Sequence, residues 1–100
     1  MAVYKLESTP DFRVTRLAFL SRFTDQEAIQ LDLASQGESF EAATLRRYLS
    51  KVNAATFVDL ERQDTIEGVR ALESAGLLAS GRADEILQTN ITDIERYKGL

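Results

Sequence analysis

Acidic side chains stand close enough in two places to suggest acid–base chemistry: Asp59 and Glu61 flank Leu60, and Asp84 is followed directly by Glu85. Two carboxyls at a fixed gap can divide the roles of proton donor and acceptor when burial separates their pKa values. Neighbours on a helix, however, point about 100° apart. Asp84 and Glu85 therefore do not converge, and a first helical turn is where the dipole favours anions. Asp59, beside Phe57 and Leu60 with Asp64 close behind, is the better-placed acid, yet a structural hydrogen bond accounts for it more simply than catalysis. The chain has no His and no Cys. Its Ser and Thr hydroxyls thus lack a base, there is no thiolate, and the usual ligands of zinc, haem and iron–sulfur clusters are missing. A calcium-type loop, with acids or amides at alternate positions, a Gly and a distal Glu, is not encoded. The glycines at 37, 68, 76, 81 and 99 make no phosphate-binding loop. The expectation is a protein that is not an enzyme, with no catalytic residue, no metal site and no cofactor.

The elements that would position these residues are mostly helical. Residues 1–9 alternate in part, Tyr4 and Leu6 against Lys5 and Glu7, which suits a short strand or an extended arm. A helix then starts from Thr9-Pro10-Asp11 or from Thr15 and runs to about Arg22, with strand pairing of Phe12 and Val14 as the alternative. Leu17, Ala18, Phe19, Leu20 and Phe23 are too apolar to be left wet, with Phe19 and Phe23 facing inward. Thr24-Asp25-Gln26-Glu27 is a capping box. The helix it opens has a wide apolar face of Ala28, Ile29, Leu31 and Leu33 and stops at Gly37. After Ser39, the positions Ala42, Leu45, Leu49 and Val52 give an amphipathic helix. A loop or extended segment follows, from which Phe57 and Leu60 plug the core.

Asp64-Thr65-Ile66-Glu67 repeats the capping-box pattern, and Ile66, Val69, Leu72 and Ala75 recur every third residue until Gly76. Ser80 then caps a short helix with Ala83, Ile86 and Leu87 inward, so that 64–88 forms an αα-hairpin. A further Thr-Asp start at Thr92 precedes Ile94 and Tyr97. The fold class expected is mainly α: about four to five short helices, an αα-hairpin at 64–88 and an extended N-terminal arm or short strand. With 100 residues the chain reads as a single domain, with an arm at 1–9, a helical core at 10–90 and a tail at 91–100. Phe57, Leu60, Ile66, Val69, Leu72 and Leu78 should be critical for folding.

Charge narrows the partners. The net charge is −4 with a pI near 4.8, the wrong sign for holding a phosphate backbone. Arg13, Arg16, Arg22, Arg46 and Arg47 could form a basic patch, but solvated faces and salt bridges are the ordinary outcome. The hairpin has the outline of a helix-turn-helix, although its second helix offers Arg82 alone against Asp84 and Glu85. No stretch of about 18 apolar residues exists, and MAVYKLESTP is not a signal sequence, so neither membrane insertion nor export by that route is expected. What remains is protein–protein contact. Tyr4, Leu6, Ile94, Tyr97 and Leu100 are anchor-type residues on terminal segments too short to fold alone, and they are the candidate interface. Either they pack on their own domain or they reach a neighbour.

The stretches 18–30 (AFLSRFTDQEAIQ) and 47–87 (RYLSKVNAATFVDLERQDTIEGVRALESAGLLASGRADEIL) carry a resemblance. Its distinctive parts are Arg22-Phe23-Thr24, Ala55 to Leu60, Asp64-Thr65, Ala75 to Leu78, Arg82-Ala83 and Glu85-Ile86-Leu87. In these the chain resembles a family of small proteins encoded among the virion genes of tailed bacteriophages. The resemblance implies a non-enzymatic structural protein, a tail or tail-fibre-associated subunit or adaptor. Made in the bacterial cytoplasm, it would reside in the virion, bind other virion proteins and be present in several copies. The alternatives are an assembly chaperone absent from the mature particle, and an acidic regulator or weak helix-turn-helix DNA binder. The family supplies no catalytic residue to carry over.

Overall fold

A computed structural model describes residues 11–99. The candidate residues Tyr4, Leu6 and Leu100, and the alternative helix start at Thr9-Pro10, lie outside them. The described chain is a small, mainly helical domain, in the order β1 (Arg13–Val14), α1 (Arg16–Ser21), α2 (Asp25–Ala34), α3 (Phe40–Ala54), β2 (Val58–Asp59), α4 (Gln63–Ser74) and α5 (Arg82–Ile86). The two strands pair antiparallel, Arg13 opposite Asp59 and Val14 opposite Val58. Val14 also bridges Arg96 on its other side, so the last residues lie along the ribbon.

Both readings of the first segment hold in part. Thr15 caps α1 by accepting from the Ala18 N–H, while Val14 just before it is fully buried as a strand residue. Phe19 and Phe23 turn inward and meet edge to face, their centroids 5.6 Å apart. Leu17 does not follow them: it is 75 % exposed, since a helix of six residues can present only part of its surface to the core.

The capping box at Thr24 and Glu27 forms as read. The helix behind it is less covered than expected. Leu31 is buried, but Ile29 and Leu33 stay exposed, because apolar residues all round α2 leave some of them pointing away whichever face turns in. The helix ends at Ala34, with Ser35 as its C-cap, so Gly37 is not its stop and has no left-handed φ. Ser39 caps α3, and Ala42, Leu45 and Val52 are buried as their spacing predicts.

The second capping box does not form. Helix α4 begins one residue before Asp64, its N-cap is Arg62, and no side chain closes it. The buried face is Thr65, Val69 and Leu72, while Ala75 is exposed. A strict step of three drifts off a face that repeats every 3.6 residues. Gly76 ends the helix as read, with φ +82. Its N–H donates to the Glu73 carbonyl and the Leu77 N–H to the Leu72 carbonyl, the paired bonds of a Schellman closure. Ser80 is not the cap of α5. That position belongs to Gly81 at φ +91, and the Ala83 N–H is taken instead by the Glu73 carboxylate across the hairpin, at 2.8 Å.

Val14, Phe19, Leu60, Val69 and Ile86 form the driest part of the core. Leu72 and Leu78 are buried with them, and Ile66 packs at its edge. Phe57 is only half-buried, and Val58 enters the core in its place, because residues alternate sides along β2.

Candidate functional site

The charged residues singled out for chemistry are engaged by other groups of the same domain. Asp59 accepts from the Glu61 N–H at 3.0 Å, a local turn bond. Asp84 pairs with Arg70 and Glu85 with Arg82, so the adjacent carboxylates diverge. Among the described residues no three acidic side chains converge as a metal ion requires, and no helix is long and apolar enough to cross a membrane.

The arginines of the candidate basic patch do not form a common face. Arg16 donates to the Asn53 and Ala55 carbonyls at the end of α3. Arg46 reaches the Ser35 and Gly37 carbonyls beyond α2, at 2.7 and 2.8 Å. Arg22 takes the Ile86 and Gln88 carbonyls beyond α5, at 2.8 and 2.6 Å. Arg82 donates to the Arg22 carbonyl beyond α1, at 2.9 Å. Four helix C-termini therefore carry a guanidinium, which satisfies their free carbonyls and suits the negative end of the dipole. Periodicity showed none of this, because the partners lie 9 to 66 residues apart in the chain.

Two carboxylates complete the frame. Glu27 binds Arg82 through both oxygens, and that guanidinium holds its pKa down to about 2. Glu95 pairs with Arg22 at 2.9 Å, which holds its carboxyl below the usual range.

The two described terminal anchors part company. Tyr97 is half-buried against Phe57, ring centroids 4.9 Å apart, and Arg13 lies over both rings. Its N–H donates to the Arg13 carbonyl, so this part of the tail packs on its own domain. Ile94, in the turn after Thr92, is 91 % exposed.

The site that sequence reasoning missed lies between α3 and α4. An open groove of about 630 Å³ runs there, walled by Ala34, Ala42 and Leu45 on one side and by Gly68, Ala71 and Ala75 on the other. Small residues leave the space and Leu72 floors it. Phe40 stands at its rim, 83 % exposed in the first turn of α3. Tyr48 closes the other end over Gly68, where an added Cβ would overlap the tyrosine ring. Burial of that ring pushes the Tyr48 hydroxyl up to about 12. A signal was present: Phe40 falls well off the face set by Ala42, Leu45, Leu49 and Val52, and a large apolar residue there has no reason in the domain's own core.

Comparisons with protein-family models, with curated proteins and with solved structures find no match to this chain.

Proposed function

We infer that this chain is a non-enzymatic structural subunit of a tailed-bacteriophage particle, tail or tail-fibre-associated, that works by protein–protein contact. The particle context comes from the resemblance of 18–30 and 47–87. The mode of action rests on one observation, the open apolar groove between α3 and α4 with Phe40 exposed at its rim. Pockets that bind small molecules place a few converging polar groups among apolar walls. Here the lining is mostly alanine, leucine and glycine, which favours an apolar helix or strand edge of another protein. Of the guanidiniums that would serve nucleic acid, those of Arg13, Arg16, Arg22, Arg46 and, in the hairpin, Arg82 are turned to carbonyls and carboxylates of the same domain, which leaves Arg47 as the one without a described partner.

Quantitative mass spectrometry of purified particles tests the reading. The expected result is this chain at a fixed ratio to the other tail proteins. Its absence from finished particles, with presence in assembly intermediates, would make it an assembly chaperone and overturn the structural role.

A further inference from the structure

We propose that the exposed face of α3 is a self-association surface on which a second copy of this chain docks antiparallel about a two-fold axis. Phe40, Thr44, Arg47 and Lys51 follow one another at steps of four, three and four, so they share one stripe of the helix. All but Thr44 are large, and all are exposed.

Two observations point to the occupant. First, Arg47 and Lys51 are the two described cations that make no hydrogen bond or ion pair to any described residue. The others are each tied to a carboxylate or a carbonyl, as Arg22, Arg46, Arg70 and Lys98 illustrate. Secondly, charge is segregated along this one helix. Glu41, equally without a described partner, sits in its first turn with Glu38 just before the cap, and Arg47 and Lys51 lie toward its end.

Such a helix is complementary to itself in the antiparallel sense alone. A parallel copy sets like charge on like, whereas an antiparallel one sets Glu41 against the partner's Lys51. The two helix dipoles are then opposed as well. With the two-fold axis passing between Thr44 and Arg47, Glu41 and the partner's Lys51 fall at one level and on one side of the contact. Phe40 then lies along the aliphatic stems of the partner's Arg47 and Lys51. Because the contact is isologous, each pair occurs twice. A single pair of 15-residue helices buries less than the roughly 1,200 Å² of a standard stable interface, so dissociation in the tens of micromolar is expected. This surface does not require the particle reading; it shares Phe40, Glu41 and Thr44 with the rim of the groove, while Arg47 and Lys51 lie outside that lining.

Sedimentation equilibrium of the full chain at about 200 µM is the test, with circular dichroism confirming helix content. The wild type should show reversible association toward twice the 11.2 kDa chain mass. E41K alone and K51E alone should each stay monomeric, because each sets like charges together at both ends of the contact. Mixed one to one they should associate again, since every facing pair is then opposite in sign. A wild type that remains monomeric overturns the proposal, as does E41K associating like the wild type or a mixture that stays monomeric. Glu41 also lines the groove, whereas Lys51 does not, so the K51E arm is the one whose failure is distinct from a failure of the groove reading, whose own test uses particles.

Discussion

Arg82 holds Glu27 from 55 residues away, its Nε 2.7 Å from Oε2 and its Nη2 2.8 Å from Oε1, while the same carboxylate accepts from the Thr24 N–H. One ion pair thus ties the start of α2 to α5. Through the Arg22 carbonyl, which Arg82 also binds, it reaches the end of α1. Arg22 in turn grips Glu95, so the C-terminal segment belongs to the same chain of charges.

This frame should be sensitive to acid. Glu27 has a folded pKa of about 2 against 4.5 when free, and Glu95 is shifted the same way. Between those values the unfolded chain binds more protons than the folded one, so stability rises with pH. The contribution is present above about pH 4.5 and is lost as pH falls toward 2. Asp11 is also held to about 2 by Arg13, but that pair is exposed and adds little. Glu27→Gln should cost roughly 2 kcal/mol at neutral pH and flatten the acid limb. Urea melts at pH 3 and pH 6 measure both effects, and an unchanged limb in the variant would show that Glu27 is not its source.

The cap of α5 separates two residues that look alike on paper. The Glu73 carboxylate takes the Ala83 N–H, whereas no side chain of α5's own flank does so. Glu73→Ala should therefore cost about 1 kcal/mol, the worth of an ordinary N-cap, and Ser80→Ala should be nearly neutral. Denaturation midpoints that reverse this order would restore Ser80 as the cap.

Gly68 sits inside α4, where glycine costs about 1 kcal/mol relative to alanine. Its backbone faces the Tyr48 ring, which an alanine methyl would displace. Gly68→Ala should bring no gain in the wild type, because the helix benefit is offset by expelling the ring. In a Tyr48→Ala background the same change should stabilise by about 1 kcal/mol. Equal effects in both backgrounds would mean the two residues do not constrain each other.

Local signals were the legible ones. The Thr24 box, the Ser39 cap, the Gly76 stop and the inward face of α3 are each set by residues within a few positions of one another, and they stand where the sequence placed them. The misread elements turn on what local spacing does not carry, several of them on distant partners. Asp64 and Glu67 have the right spacing for a cap, yet α4 starts earlier at Gln63. Ser80 yields to Glu73 from the facing helix. Phe57 is drawn out of the core by Tyr97 and Arg13, and β-alternation sends Val58 inward instead. Of the candidate interface, Ile94 is exposed and Tyr97 is engaged internally. The groove arises only when Ala34, Ala42 and Ala71 meet across three elements, and single alanines carry no visible mark of that.

On the proposed reading, the groove between α3 and α4 is where this protein meets its partner in the particle. Ala71→Lys fills that groove with charge from an exposed helical position, and Glu67 one turn earlier gives the new side chain a favourable pair, so the fold should keep its melting midpoint. The decisive measurement is the amount of this variant in purified particles, relative to wild type, when it is the only copy supplied. Loss of the chain from particles with unchanged thermal stability is the predicted result, and incorporation at the wild-type ratio would contradict it.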